Sequence, residues 1–217
     1  MPTMPLEAKL AHAREDLKSV QNKYDRKITE LERAVKKSRD KKPAVFQEDY
    51  ESPRHNNWMV TLRATKKSTK IFAATWWHYP KTGLEALTVR PDGACFYFDT
   101  HFFQRYRKRE SEVVDAHDNM RLFFRTNYDM AVKRLESSRH GLREAAGVAA
   151  EGLFLGTVRP GDIIACDTFI SQDMLRKDQV ELQARLKAEA HWLTLSPVQL
   201  QEMRKWMEGL LKELEEM

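Results

Sequence analysis

His101, Arg105 and Arg109 recur every four residues in THFFQRYRKRE, so on a helix they share one face. One imidazole beside two guanidiniums is equipment for phosphate chemistry. Metal-free RNA cleavage needs a base for the 2′-hydroxyl proton, an acid for the leaving oxygen and cations for the phosphorane charge. His101 would move the proton, Arg105 and Arg109 would hold the phosphate bidentately, Asp99 would orient the imidazole, and Asp99 or Thr100 would cap the helix. Arg107, Lys108, Lys66 and Lys67 would add contacts to a nucleic-acid backbone, while Trp76, Trp77 and Tyr97 would stack bases.

Other chemistries find no pattern. The chain has no GxxxxGK, no GxGxxG and no HExxH, so nucleotide hydrolysis, dinucleotide redox chemistry and zincin proteolysis are without a motif. Asp99, His101, Asp115, His117 and Asp118 are metal-ligand types. Asp115 and His117, however, are two apart, the wrong interval for one helical face, so no metal and no cofactor is expected.

The elements that must carry these residues begin with a β-hairpin. Pro91-Asp92-Gly93 separates two runs of β-formers, as a type I turn closed by a glycine bulge would. A helix follows from about residue 101 to 110, with Phe102, Phe103 and Tyr106 free to hold it against a sheet. Upstream, Trp58–Ala64 and Lys70–His78 read as strands, and Leu84–Arg90 leads into the hairpin. Residues 111–136 read as the longest helix of the middle region, with Val113, His117, Met120, Phe124, Tyr128, Ala131 and Leu135 in a stripe. A second hairpin spans 152–170 and turns at Arg159-Pro160-Gly161-Asp162. Thr-Val-Arg-Pro occurs both at 88–91 and at 157–160; turn and cap physics alone accounts for such an echo, and an internal duplication is the alternative.

The ends of the chain look different. Leu6, Leu10, Ala13, Leu17, Val20, Tyr24, Ile28, Leu31 and Val35 form a narrow seam on one long helix, which needs a partner: a second copy in a coiled coil, or another helix of the chain. Residues 43–57, with two prolines and no period, read as a linker. After residue 171 come a helix from Met174 to Trp192 and, from the capping box at Ser196-Pro197-Val198-Gln199, a last helix whose seam includes Leu210. The expected fold is α+β: an antiparallel sheet of about four to six strands covered by helices, with a coiled-coil-like N-terminal helix (1–42), a linker (43–57), a core domain (58–170) and a C-terminal helical pair (171–217).

The net charge of +5 is uneven. Residues 58–140 hold 15 Lys and Arg against 9 Asp and Glu, while 141–217 hold 9 against 13. A positive middle suits an anionic partner; an acidic tail packed on that middle would account for the same asymmetry. No apolar run reaches membrane-spanning length and the N-terminus lacks the apolar stretch of a secretory signal, so the expected location is the cytoplasm. Cys95 and Cys166 lack CxxC spacing and read as reduced, buried thiols. The expected function is a self-associating protein that binds RNA, DNA or another polyanion through its middle region. The alternatives are a metal-independent ribonuclease using His101, Arg105 and Arg109, and a non-catalytic adaptor assembled through its seams.

Overall fold

β-Branched and aromatic residues in runs of seven to eleven give strands whose two faces are both apolar, and such strands need cover on both sides. The computed structural model describes residues 4–39, 42–80, 83–90, 93–127, 130–135 and 145–194, with side chains to 188. It contains a nine-stranded sheet between two helical layers. In chain order the elements are α1 (Leu6–Lys37), β1 (Ala44–Glu51), β2 (Asn57–Ala64), β3 (Thr69–Tyr79), β4 (Gly83–Val89), β5 (Cys95–Phe98), α2 (Thr100–Glu110), α3 (Ala116–Thr126), β6 (Ala131–Arg134), β7 (Ala145–Ala149), β8 (Gly152–Arg159), β9 (Ile163–Ser171) and α4 (Lys177–Thr194).

The α+β class is as expected, but the sheet is mixed and larger than four to six antiparallel strands. Its order is β1-β2-β3-β4-β5-β9-β8-β7-β6, two antiparallel meanders joined by the parallel pair β5 and β9. The extra strands come from stretches without a clear period. Residues 44–51, inside the expected linker, pair along β2 as an edge strand. The expected helix over 111–136 is only α3. Asn127 stops it, its side chain donating to the Phe123 carbonyl at 3.0 Å and accepting from the Ala150 N–H at 2.6 Å. The chain then returns as β6, paired with β7.

Burial explains where the helices lie. Met59, Ala74, Phe96, Phe98 and Phe154 point to the face covered by α2 and α3, where Phe102, Phe103, Tyr106, Phe123 and Phe124 complete an aromatic core. Trp58, Val60, Leu62, Leu87 and Ile163 point the other way, onto α1. On that second face α4 covers the far meander through Leu186 against Ala146 and Leu153.

The seam of α1 therefore has its partner in its own chain. Leu10, Ala13, Val20 and Tyr24 are buried on the sheet, and Leu17, Ile28 and Leu31 pack at its margin. A coiled coil is not needed to bury it. Two polar contacts lock the helix down. Lys9 Nζ donates to the Tyr79 hydroxyl at 2.6 Å, 4.5 Å over the Trp77 ring, with Glu85 at 3.5 Å. Asp16 accepts from Ser52, Asn56 and Trp58 of the β1–β2 connection and strand.

The two halves repeat helix, meander, helix, with the helices exchanging faces about the β5–β9 pair. Thr88-Val89 and Thr157-Val158 lie at the ends of β4 and β8, and in the turns that follow Gly93 (φ 86°) and Gly161 (φ 75°) take left-handed conformations. The Arg90 N–H donates to the Ala94 carbonyl across the first turn, as the expected bulged hairpin requires. Cys95 and Cys166 are free, buried and on opposite faces. Among the described residues no helix is long and apolar enough to cross a membrane. The expected last helix, with its capping box and Leu210, lies outside the described residues.

Candidate nucleic-acid interface on helix α2

Helix α2 starts where β5 ends. Asp99 caps it as expected, the Phe102 N–H donating to Asp99 Oδ1 at 2.7 Å. Burial raises the Asp99 carboxyl above its usual range, and the Phe102 N–H and the nearby charges of His101 and Arg105 pull it part of the way back. As a cap, Asp99 makes no hydrogen bond that would orient the His101 imidazole.

Helix α2 then runs beside β9, which continues past the last β5–β9 pair, Phe98 with Cys166. One residue on, the Asp167 carbonyl accepts from Arg105 Nη1 at 2.8 Å, and the same nitrogen donates to the Thr168 hydroxyl. Arg105 thus docks on β9 just beyond its last pair with β5, and that nitrogen is unavailable to a bidentate phosphate contact. His101 is exposed. Arg109 is half-buried, and its Nη1 is buried with no hydrogen-bond partner among the described residues. The expected triad shares a helical side, but one guanidinium is committed to β9.

The other side of α2 is open. Gln104, Arg107 and Lys108 are exposed, opposite the buried Phe102, Phe103 and Tyr106. Residues 111–115, expected as helix, instead form an irregular connection between α2 and α3. Arg107 Nη1 donates to the Val114 carbonyl at 2.9 Å, which holds this segment off the helix. Between them lies an open groove of about 530 Å³ lined by Gln104, Arg107, Lys108, Ser111, Glu112, Val113 and Val114. Among the described residues no carboxylate forms an ion pair with Arg107, Lys108 or Arg109, while the Asp99 carboxyl lies near enough to His101 and Arg105 to feel their charge.

The remaining expected contacts are elsewhere. Lys66 and Lys67 are exposed in the β2–β3 turn, which the strand registers place at the opposite end of the sheet from the start of α2. Trp77 is buried and donates its indole N–H to Glu85 at 3.1 Å, so it cannot stack a base. Trp76 packs on the aromatic core and against the His117 ring, 4.5 Å between centroids. Tyr97 is half-buried; burial, then Glu85, pushes its hydroxyl pKa up. Asp115, His117 and Asp118 do come together, their ligand-type atoms within 4.8 Å, despite the two-residue interval. Asp115 is the cap of α3 and folds back over the first turn, accepting from the His117 and Asp118 N–H groups at 2.9 Å each. His117 Nε2 faces Asp49 Oδ1 at 3.2 Å.

Of the groove residues, Gln104, Ser111 and Val114 carry no signal of their own in the sequence, and Val113 reads there as part of a helical stripe. The available signal is the apolar pair Val113-Val114, which three residues separate from the cationic run 105–109. Comparison of the chain with protein-family models, with curated proteins and with solved structures finds no match.

Proposed function

We propose that the protein binds nucleic acid, in a reducing compartment such as the cytoplasm, along the exposed side of α2. One observation carries this: Arg107, Lys108 and Arg109, consecutive on an eleven-residue helix, form no ion pair with a carboxylate among the described residues. Unneutralised cations held on a rigid helix attract a polyanion and release its counterions on binding. The exposed contacts are Arg107 and Lys108, with His101 and Arg109 at the neighbouring edge.

Fluorescence anisotropy with a labelled oligonucleotide tests the proposal. Affinity falls with salt, and each phosphate contact contributes a slope of about −0.7 in log K against log salt for a single strand. Arg107→Glu with Lys108→Glu weakens binding at least tenfold and flattens that slope by roughly 1.4. Salt-independent binding, or a double variant that binds as the wild type does, refutes the proposal.

A second reading, cleavage of bound RNA, is favoured by the exposed His101 imidazole beside a carboxyl, Asp99, whose proton affinity is raised. Gel analysis of the same mixtures in EDTA tests it. Product that appears with the wild type and disappears in His101→Ala supports cleavage; intact RNA leaves binding alone.

A further inference from the structure

The groove beside α2 is formed for something other than phosphate. Its rim carries Arg107 and Lys108, but its lining includes the Glu112 carboxylate, which repels an anion placed inside. One wall is apolar: Val113 is half-buried, and Val114, at 83% exposure, is the most exposed of the large apolar side chains among the described residues. Gln104 and Ser111 add groups that can both donate and accept hydrogen bonds. At about 530 Å³ the hollow lies within the size range of small-molecule sites. The Arg107 bond to the Val114 carbonyl holds it open without a ligand.

Building on the nucleic-acid proposal above, we infer that this groove seats an unpaired base of a single strand, whose phosphates pass along the Arg107 and Lys108 rim. A flat base covers the Val113–Val114 wall, as a phosphate does not. Glu112 accepts from an exocyclic amine, the pairing by which carboxylates recognise cytosine N4. Gln104 and Ser111 take the remaining edge. A duplex is excluded because its bases are stacked and paired, whereas single strands offer splayed bases to protein pockets. Cytosine is favoured over uracil, which presents a carbonyl to Glu112 where cytosine presents the amine.

The test compares four labelled probes of about ten nucleotides, a length within single-strand site sizes. They are oligocytidylate, oligouridylate, an abasic phosphodiester of equal charge, and a duplex. The expected order is oligocytidylate first, oligouridylate next, and the abasic chain about tenfold weaker than the first, with the duplex no tighter than the abasic chain. Val114→Ser, at an exposed position that leaves the fold intact, weakens the base-bearing strands roughly three- to tenfold and leaves the abasic chain unchanged. Glu112→Gln narrows the preference for cytosine. Equal binding of abasic and base-bearing strands, with Val114→Ser indifferent, overturns the base site and leaves the nucleic-acid proposal standing. A duplex that binds as tightly as the single strand also overturns it. Failure of every probe to bind at low salt refutes both.

Discussion

Removing the Asp16 carboxylate tests whether α1 is an integral layer of the fold. Asp16 is 2% exposed, and a single oxygen, Oδ2, accepts from the Ser52 hydroxyl at 2.5 Å, the Asn56 amide at 2.6 Å and the Trp58 indole at 3.2 Å. Arg54 Nε lies 3.7 Å from the other oxygen. In Asp16→Ala the serine hydroxyl can rotate to another acceptor, but the Asn56 and Trp58 donors remain buried and unmet. Each unmet donor costs about 1–3 kcal/mol, and relief of the carboxylate's own desolvation offsets part of the total. The net loss is about 3–4 kcal/mol. Asp16→Asn keeps one acceptor oxygen and loses about 1–2 kcal/mol. Urea unfolding followed by tryptophan fluorescence reports on the buried Trp58 together with the chain's four other tryptophans. With a slope of about 2 kcal/mol/M, the alanine midpoint falls by roughly 1.5–2 M. An Asp16→Ala midpoint within about 0.2 M of the wild type would show that the cluster does not hold α1, and would return the Leu10 to Tyr24 seam to an intermolecular partner.

Two further outcomes follow from packing and charge. A Cβ on Gly147 would lie 2.0 Å from Phe154 Cζ, in the aromatic core, so Gly147→Ala loses about 3 kcal/mol and lowers Tm by about 6–10 °C in a thermal melt; an unchanged Tm would mean the Phe154 ring has room to move. Burial, then the charges of Glu151 and Asp173, raise the Glu110 carboxyl above its ordinary value of 4.5, against a hydrogen bond from Ser171. A raised carboxyl binds its proton more tightly folded than unfolded, so this group disfavours the fold progressively as pH rises above 4.5. Glu110→Gln is therefore more stable than the wild type at pH 7, and the difference closes in acid; thermal melts at both pH values check the sign.

Much of the local structure was legible in the residues. The Asp99 cap, the extent of α2, both hairpin turns and their left-handed glycines depend on groups a few positions apart, so residue type and spacing suffice to specify them. The apolar side of α2 at Phe102, Phe103 and Tyr106 follows from the same short-range periodicity. Edge strands β1 and β6 did not stand out because they are partly exposed and carry no clean alternation. The parallel union of β5 with β9 joins segments about seventy residues apart, and no local pattern encodes which strand edges meet.

That union decides the site. It places the Asp167 carbonyl beside Arg105, tying one guanidinium of the expected triad to β9, while Arg107 is tied to the Val114 carbonyl and Lys108 is left exposed. It also gives the α1 seam a sheet to lie on, where sequence offered only a narrow apolar stripe in need of a partner. Composition and spacing determined that a short cationic helix would follow a hairpin. The folded chain alone determined which carbonyl each of its guanidiniums meets, Asp167 for Arg105 and Val114 for Arg107, because a guanidinium donates to whatever acceptor the fold places beside it.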